Sequence, residues 1–357
     1  MDPVKFGLVG YGFGGRYFHA PLLAAADECD FLGVVTTSAE RRELIARELP
    51  GLAVFDSMED LGAAGAEAVS ISTPASTHSS LTDAAIGLGL SVVCDKPFAT
   101  DAAGARRTVE LAAQRGVVLS PYQNRRWDSE FLTLRARVAD GSLGEVRRFE
   151  SRFERFAPED GPGVAGGGTL LDFCSHLVDQ ALVLLGPVES VYAELTLRES
   201  GLDDDVFVAL THAAGARSHL WGSWQQPAPG PRFRVTGTSG SIVLTTSDSQ
   251  EDALLAGRKP VEGESWGVEP PSESDRLEPP SESDRLVTPA GSSALTLVPG
   301  AWDTFYPAFA RAVRGLGSAP VDGSDAVATA VVLDAARLSA DTGQTVRLTA
   351  SPTGGRP

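Results

Sequence analysis

The feature that most constrains the fold of this chain is a glycine-rich turn, residues 10–15, between two different apolar patterns. The run Val4–Val9 before it predicts a buried strand, and residues 16–23 after it predict the start of a helix. In this order the turn is typical of dinucleotide binding, because it allows a tight reversal, close approach to a pyrophosphate and close helix–strand packing. These three roles fall to Gly10, Gly12 and Gly15. An ordinary strand-to-helix connection is the alternative, and the well-defined apolar strand before the turn disfavours it.

Length, charge and cysteine content exclude several classes of protein. A chain of 357 residues can hold two domains, and its formal net charge of −17 argues against nucleic acid or an anionic membrane as partners. No apolar run is long enough to span a membrane, and the first residues do not resemble a signal peptide. The cysteines have no metal-ligand spacing, which predicts no bound metal and a reducing, cytoplasmic location. They are Cys29, Cys94 and Cys174.

The first third of the chain alternates strand and helix patterns. After the first strand, further strands are expected at 31–35, 68–72, 91–94 and 117–120, with helices at 39–49, 79–88 and 102–115. This alternation predicts an α/β fold: an N-terminal Rossmann domain over residues 1–121, with a doubly wound parallel sheet and helices on both faces.

From residue 122 the pattern changes to consecutive strands. They are expected at 147–156, 188–197, 206–212, 217–224, 233–236 and 241–245, with helices at 169–185, 302–316 and 324–342. We therefore expect a C-terminal α+β domain over residues 122–350 with a mostly antiparallel open sheet, and a flexible tail at 351–357. A proline-rich acidic nonamer occurs twice in tandem over residues 269–286, and we expect it to form a lengthened surface loop.

Lysine occurs only at Lys5, Lys96 and Lys259, because arginine fills nearly every other basic position. Lys96 follows the predicted strand 91–94, at the carboxyl edge where open parallel sheets bind ligands. A lysine there supplies a compact cation whose pKa responds to burial. A solvated lysine at a strand end is the alternative, and the scarcity of lysine and the adjoining Pro97 favour function.

A second candidate site lies where a glycine run precedes the helix expected at 169–185. Asp172 and His176 are four residues apart and therefore share a helix face. Such a pair can set the tautomer and orientation of an imidazole that acts as a general base. A surface ion pair or a buried core histidine is the alternative, because the flanking residues are apolar. The glycines at 166–168 favour close approach of a ligand or of another backbone segment.

Together these motifs resemble the Gfo/Idh/MocA family of sugar and cyclitol dehydrogenases. The resemblance covers nearly the whole chain. It comprises the glycine turn, Ser72-Thr73-Pro74 with His78, Lys96-Pro97, and G-G-G-x-L-x-D-x-x-x-H-x-x-D over residues 166–179. Within the family, residues 122–133 and 250–267 are most similar to the branch of NADP-dependent scyllo-inositol dehydrogenases.

The resemblance implies an NAD(P)-dependent oxidoreductase that interconverts a secondary alcohol and a ketone on a polyol, cyclitol or sugar, as a homodimer or homotetramer. Lys96 would contact the substrate hydroxyl near the nicotinamide, His176 would be the acid/base group, and Asp172 would orient substrate or histidine. The residues implied for the cofactor are Gly10, Gly12, Phe13, Gly15, Thr73, Pro74, His78 and Lys96. Those implied for the substrate are Lys96, Asn124, Arg125, Arg152, Arg155, Asp172 and His176.

Two positions depart from the family pattern. Asp95 replaces the usual glutamate before the lysine and is one methylene shorter, which predicts a shifted hydrogen bond behind the lysine. Cys174 replaces the usual glycine two residues after the motif aspartate, which adds bulk to the helix. Neither change removes a group with a proposed catalytic role.

The end of the second predicted strand favours NADP(H) over NAD(H). NAD enzymes usually place an acid there to bind the ribose 2′-hydroxyl, and here no acid occurs before Glu40. A 2′-phosphate could instead be bound by Thr37, Ser38, Arg41 and Arg42. A solvated helix face is the alternative for the two arginines, and use of NAD(H) stays open.

Three other functions stay open at this point. One is redox-neutral, NAD-dependent cleavage of glycosidic bonds, and another is reduction of a non-carbohydrate ring. A third is a non-catalytic sensor that binds a dinucleotide and a partner protein. Retention of Lys96, Asp172 and His176 disfavours the sensor, because binding alone requires none of them.

Overall fold

The computed structural model describes residues 1–260, 266–269 and 284–348. Most of the nonamer repeat and the tail at 351–357 lie outside the described residues. The α-helices in this part of the chain are α1 (Ala20–Ala25), α2 (Ala39–Glu48), α3 (Met58–Ala63), α4 (His78–Gly87), α5 (Ala102–Arg115), α6 (Ser129–Ala139), α7 (Thr169–Asp172), α8 (Cys174–Leu185), α9 (Gln250–Leu255), α10 (Phe305–Val313) and α11 (Gly323–Thr342).

The strands of the first sheet are β1 (Val4–Val9), β2 (Cys29–Val35), β3 (Ala53–Phe55), β4 (Ala68–Ile71), β5 (Ser91–Cys94) and β6 (Leu119–Pro121). Those of the second are β7 (Val146–Glu154), β8 (Val188–Leu197), β9 (Asp203–His212), β10 (Arg217–Ser223), β11 (Phe233–Gly237), β12 (Ser241–Leu244), β13 (Arg285–Thr288), β14 (Gly291–Ala294) and β15 (Val346–Arg347). None of the described helices is both long and apolar enough to cross a membrane.

The chain divides into two compact units, each built from three segments. Unit 1 comprises Met1–Ser129, Asp248–Glu269 and Pro299–Val327, and unit 2 comprises the remainder. This division differs from the expected one at residue 121. The reason is that the later segments supply apolar side chains to the core of unit 1, among them Leu254, Trp302, Phe305, Tyr306 and Phe309.

The sheet of unit 1 is parallel, with the strand order β3-β2-β1-β4-β5-β6. Its central strands β1, β4 and β5 are almost wholly buried, as expected for strands covered on both faces. The order reverses between β1 and β4, and this is the point at which dinucleotide folds bind their ligand. The predicted Rossmann fold is confirmed.

Local caps fix where several helices of unit 1 begin and end. Ser38, Ser57 and Asp101 each accept a hydrogen bond from a backbone N–H in the first turn of α2, α3 and α5. Helix α5 is followed by its C-cap Gly116, whose left-handed φ of 67° suits glycine. Before α1, residues Gly15–His19 form a short π-helix.

The sheet of unit 2 has the order β14-β13-β12-β11-β7-β10-β9-β8-β15. Strands β7 and β10 run parallel and every other neighbouring pair is antiparallel, which confirms the predicted, mostly antiparallel sheet. Helix α8 packs against β7 and β10 and buries Leu177 and Val178 with Phe149 and Leu220.

Two predicted helices differ from the observed ones. The helix expected at 169–185 is divided into α7 and α8 at Phe173. The helix expected at 302–316 begins as a 3-10 turn, Trp302–Thr304, and its α-helical part ends at Val313. In both cases the periodicity of the apolar residues continues through the irregular turn, so the pattern does not reveal the break.

Candidate active site

The glycine turn joins β1 to the first helical turn of unit 1. Gly10 has a φ of 94°, and a Cβ there would overlap the carbonyl oxygen of Ser72. A Cβ on Gly15 would overlap the carbonyl oxygen of Gly10, so the helix packs directly on the turn. A Cβ on Gly12 would meet no atom within 4 Å, and the next residue, Phe13, is exposed. A tight turn, a close contact and an open backbone face fit the pyrophosphate of a dinucleotide.

The segment after β2 contains the residues expected near the 2′ position of the adenosine ribose. Thr37 and Ser38 are exposed, and Ser38 Oγ accepts the backbone N–H of Arg41 at 3.3 Å. Arg42 donates through Nη2 to the carbonyl of Thr36 at 2.9 Å and forms an ion pair with the carboxylate that follows β3. The Arg41 guanidinium makes no hydrogen bond or ion pair within the described ranges. Of the two arginines, Arg41 is therefore the one whose charge is available.

Asp95 links the ends of two neighbouring strands beside Lys96. Its Oδ1 accepts the backbone N–H of Lys96 at 2.8 Å, and its Oδ2 accepts the hydroxyl of Ser72, which follows β4, at 2.9 Å. The peptide bond between Lys96 and Pro97 is cis. Asp95, although shorter than a glutamate, thus still anchors the loop at the carboxyl edge of the sheet. We call this loop, which follows β5 and carries Asp95, Lys96 and Pro97, the lysine loop.

Two buried side chains that no sequence motif indicates, His19 and Tyr306, stand behind this aspartate. His19 Nε2 lies 3.2 Å from Asp95 Oδ2, and its Nδ1 lies 2.6 Å from the Tyr306 hydroxyl. Burial alone would raise the pKa of Asp95, but the adjacent His19, with weaker contributions from His78 and Lys96, holds that pKa well below its usual range. The carboxylate beside the lysine is therefore ionised at neutral pH.

His78 joins the loops that follow β4 and β5. Its Nδ1 lies 2.7 Å from the carbonyl oxygen of Pro97, and its Nε2 lies 2.8 Å from that of Thr73. The ring is buried, so His78 supports the two loops from behind. Thr73 and Pro74, the other residues implied to flank the cofactor, lie in the loop that it holds, where the Thr73 hydroxyl is 2.7 Å from that of Thr77.

Asn124 and Arg125 lie in the 3-10 turn that follows β6, the strand next to β5. Asn124 is buried, yet its side-chain amide makes no hydrogen bond within the part of the chain that the structure describes. Arg125 pairs with Glu251 of α9 and with Asp128 at 3.5 Å, and its guanidinium lies 5.7 Å from the Trp302 ring. Asn124 is therefore the better placed of the two to bind a ligand, since Arg125 ties segments of unit 1 together.

In unit 2 the position of the Asp203 carboxylate explains why glycines precede α7. Gly167 and Gly168 have φ values of 80° and 98°, and a Cβ on Gly168 would overlap Asp203 of β9. Asp203 accepts the backbone N–H of Leu170 and so caps α7. Burial raises the pKa of Asp203 above its ordinary value.

Asp172 and His176 lie on either side of the break between α7 and α8. The backbone N–H of His176 donates to the carbonyl of Phe173 at 3.1 Å instead of to that of Asp172. His176 is 4% exposed and Asp172 is half-buried. The extra bulk of Cys174 is accommodated by Gly222 of β10, where a Cβ would lie 3.0 Å from the cysteine sulfur.

The two arginines expected near the substrate lie on different faces of the second sheet. Phe153 stacks on Phe173 at 4.4 Å, so its side chain points toward the α7–α8 junction. Arg152 alternates to the other face, where its guanidinium lies 4.0 Å from the Trp221 ring. The guanidinium of Arg155 lies 5.6 Å from the Phe173 ring. The structure therefore brings Arg155, and not Arg152, to the junction that carries Asp172 and His176.

Arg232 is a buried cation of unit 2 that no sequence pattern indicates. Its Nη1 donates to Ser151 Oγ at 2.8 Å and its Nη2 to Gln180 Oε1 at 3.3 Å. Its Nε lies 3.5 Å from the buried carboxylate of Glu130. Because Gln180 lies one turn after His176 on α8, Arg232 fixes the helix that carries the candidate base.

A parallel sheet in this strand order, with an open glycine turn at its reversal point, defines an NAD-binding Rossmann unit. Residues 4–123 match the family model described as an oxidoreductase family with an NAD-binding Rossmann fold. Residues 131–243 match the model of the GFO/IDH/MocA C-terminal domain. The chain belongs to the Gfo/Idh/MocA family of oxidoreductases.

Individual relatives agree with this assignment. The scyllo-inositol 2-dehydrogenase (NADP(+)) of Bacillus subtilis (strain 168) is 33% identical, over 98% of this chain and 97% of that protein. The inositol 2-dehydrogenase of Rhizobium meliloti (strain 1021) is 29% identical over 67% of this chain and 74% of its own. The solved structure of yvaA from Bacillus subtilis superposes with a TM-score of 0.87 at 31% identity and covers 98% of each chain.

Proposed function

We propose that this protein is an NADP(H)-dependent oxidoreductase that interconverts a secondary alcohol and a ketone on a polyol, cyclitol or sugar. The observation that carries this proposal is the lysine loop, in which an ionised Asp95 holds the backbone of Lys96 at the carboxyl edge of the Rossmann sheet. The name of the full-length Bacillus subtilis relative, a scyllo-inositol 2-dehydrogenase (NADP(+)), supports the same substrate class and cofactor.

Each of three side chains has a part in this chemistry. In the oxidation direction His176 accepts the proton of the substrate hydroxyl, and in reduction it returns that proton to the ketone oxygen. Lys96 stabilises the negative charge that develops on the same oxygen, which lowers the barrier because the charge is largest in the transition state. Asp172 orients the substrate or His176. When bound, the nicotinamide supplies the hydride acceptor or donor.

The cofactor is assigned to unit 1. We place the pyrophosphate on the open backbone of the glycine turn, at Gly10, Gly12, Phe13 and Gly15. The 2′-phosphate is assigned to Thr37, Ser38 and Arg41, with Arg42 in a supporting role because Thr36 and Asp56 hold its guanidinium. Thr73, Pro74 and Lys96 flank the nicotinamide end, and His78 holds their loops.

The substrate contacts proposed beside Lys96, Asp172 and His176 are Asn124 and Arg155. The side-chain amide of Asn124, which makes no hydrogen bond to any residue that the structure describes, suits a hydroxyl group, which both donates and accepts hydrogen bonds. Arg125 and Arg152 act through the side chains that they hold. We further propose a homodimer or homotetramer and a cytoplasmic location, which light scattering and cell fractionation test.

The test of the function is oxidation of NADPH and NADH, followed by reduced-nicotinamide absorbance, against a panel of inososes and keto-sugars. We expect turnover with NADPH and at least one ketone. Lys96→Ala should lower kcat by about 10²-fold or more and leave NADPH affinity nearly unchanged. Lys259→Ala is the matched control, because Lys259 is exposed.

Three results would contradict the proposal or one of its parts. Tight NADPH binding without turnover across the panel would favour a non-catalytic sensor. Cleavage of a glycoside without net consumption of NADPH would favour redox-neutral chemistry. Equal loss of turnover and of cofactor affinity in Lys96→Ala would remove the specific role given to Lys96.

A further inference from the structure

A chain of buried polar side chains runs behind the lysine loop. It passes from Ser70 on β4 through the Tyr306 hydroxyl, 2.8 Å away, to His19 and then to Asp95. Ser70, Tyr306 and His19 are each 0% exposed. Burying this many polar groups is costly unless each is paired, so the arrangement is tightly specified.

These contacts determine which ring nitrogen of His19 carries a hydrogen toward the Asp95 carboxylate. An ionised Asp95 can only accept, so Nε2 must carry a hydrogen in either protonation state of the ring. In the neutral ring, Nδ1 then accepts from the Tyr306 hydroxyl, whose oxygen in turn accepts from Ser70. The Nε2–Oδ2 contact is poorly aligned for a hydrogen bond, so the hydrogen on Nε2 acts on the carboxylate through its partial positive charge.

The imidazole is held in this orientation from its face as well as from its edge. The ring of Tyr122 lies 4.3 Å from that of His19, centroid to centroid. The Tyr122 hydroxyl is itself anchored, because it donates to the carbonyl of Phe18 at 3.0 Å. Rotation of His19 away from Asp95 would therefore require displacement of two buried aromatic side chains.

We propose that His19 is a positioning residue for Lys96, which acts by keeping the Asp95 carboxylate ionised and oriented so that it holds the lysine backbone. The inference rests on the proposed function, in which Lys96 acts on the substrate oxygen. His78 cannot take this part, because both of its ring nitrogens face the carbonyl oxygens of Thr73 and Pro97.

The charge of Asp95 depends on all the titratable groups around it. These are His19 from the π-helical turn, His78 from α4, Cys94 and Lys96 from the chain on either side, Tyr122 after β6 and Tyr306 from α10. Burial raises the pKa of Cys94 to about 12 and that of both tyrosines well above the ordinary value, so these three groups stay neutral. His19 touches the Asp95 carboxylate through a ring nitrogen at 3.2 Å, and the Ser72 hydroxyl, which does not titrate, also donates to it.

The variants that test this role differ in which ring nitrogen of His19 is replaced by the side-chain amide nitrogen. In His19→Gln the amide nitrogen reaches the place of Nε2 and can still donate to Asp95. In His19→Asn it reaches only the place of Nδ1, so the contact with Asp95 is lost. The matched controls are His212→Gln and His212→Asn in unit 2, where His212 is equally buried and is held by Gly186 and Ser218 at 2.9 and 2.7 Å.

The kinetic readout is ketone reduction with NADPH as a function of pH. For His19→Asn we expect kcat to fall by about 10²-fold, as a small misplacement of a catalytic group can cause. The KM for NADPH should be nearly unchanged. The acid limb of the kcat profile should move to higher pH, because burial then acts on Asp95 without opposition from His19. His19→Gln should restore most of kcat.

A second readout needs no turnover. With only three lysines in the chain, [13Cε]lysine labelling gives few resonances, and Lys96→Arg assigns the one of interest. In the wild type we expect the Lys96 resonance to be constant between about pH 7 and pH 5, where an unperturbed carboxyl group is still largely ionised. In His19→Asn it should move in this range with the titration of Asp95, while Lys5 and Lys259 do not respond.

The inference is overturned if folded His19→Asn leaves both the Lys96 resonance and the acid limb as in the wild type. It is also overturned if the His212 variants lower kcat as much. Should His19→Asn fail to fold, Tyr306→Phe provides the same test with a smaller expected change, because it removes the hydroxyl that supports His19. Absence of turnover in the wild type would defeat the proposed function, and the lysine spectra would still decide the role of His19.

Discussion

Gly14 lies directly against Asp95: a Cβ built on Gly14 would stand 2.8 Å from Asp95 Oδ2 and 2.7 Å from Ser72 Oγ. The dinucleotide motif treats this position as variable, but this fold leaves no room there for a methyl group. The glycine turn and the carboxylate that holds Lys96 therefore form one packed unit.

Alanine at two positions of the turn should separate folding from cofactor binding. Gly12→Ala should change the free energy of unfolding by less than about 0.5 kcal/mol, because its Cβ meets no protein atom, but should weaken NADPH binding by filling the pyrophosphate space. Gly14→Ala should destabilise the protein by about 1–3 kcal/mol by displacing Asp95 or Ser72. Thermal melts and fluorescence titration with NADPH measure both quantities. Wild-type affinity in Gly12→Ala would argue against the assigned pyrophosphate site.

The two adjacent arginines of α2 should differ in their effect on cofactor choice. Arg41→Ala should weaken NADPH binding by about 1.5–3 kcal/mol, the value of a hydrogen bond to a charged group, and leave NADH binding unchanged. Arg42→Ala should alter stability more than selectivity, because its guanidinium already binds Thr36 and Asp56. Dissociation constants for both cofactors check this. Equal effects on NADPH and NADH from Arg41→Ala would contradict the assignment.

The overall fold could be predicted because its signals are local. Buried parallel strands appear as short apolar runs, and glycine and serine mark the turns and caps between them. Because the glycine turn, Thr73 and Lys96 each follow a parallel strand, the sequence alone predicts that they meet at the carboxyl edge of the sheet. Among the elements that were missed, β3 with three residues and α3 with six are too short to show a period, whereas α6 was missed although it has 11 residues.

The rest of the site depends on contacts between distant parts of the chain. Tyr306 meets His19 across 287 residues, and Asp203 caps α7 from a strand 33 residues beyond Leu170. Neither pairing has a local pattern, because a buried histidine or tyrosine looks the same in sequence whether or not it belongs to a network. The break at Phe173 was hidden for a related reason, since apolar residues continue through it.

The buried ion pair of unit 2 should be important for stability. Arg232→Met should destabilise the protein by about 3–5 kcal/mol, because it removes the guanidinium that lies 3.5 Å from the buried Glu130 carboxylate. Arg234→Met is the matched control two residues further along the chain, on β11. Its side chain is 47% exposed and 3.6 Å from Glu150, so we expect a loss below about 1 kcal/mol. Urea denaturation compares the two. Similar losses of stability in the two variants would show that the buried Arg232–Glu130 pair contributes no more than the exposed Arg234–Glu150 pair.

Stability should depend on pH through Glu67 and Arg314. Hydrogen bonding to Arg314 lowers the pKa of Glu67 to about 2 from 4.5. A lowered pKa means that the stabilisation is fully present above the unfolded value and is lost as the pH falls from about 4.5 toward 2. Because the Glu67 side chain is 38% exposed, we expect only on the order of 1 kcal/mol.

Glu67→Gln tests this dependence directly. The variant should unfold at a lower urea concentration than the wild type at pH 7, and the difference should shrink when the comparison is repeated at about pH 3. A difference that does not change with pH would mean that Glu67 stabilises the fold by packing and not by its charge.

Trp302, Phe305, Tyr306 and Phe309 complete the core of unit 1 from a segment near the end of the chain. Translation is directional, so the strands and the glycine turn leave the ribosome long before these side chains are made. Until then the nascent sheet lacks four large apolar groups, and His19 lacks the hydroxyl that supports it. Domains usually fold in order from the N-terminus as they are synthesised. Here unit 1 is finished only after its last segment, Pro299–Val327, has been made, by which point most of unit 2 has already been synthesised.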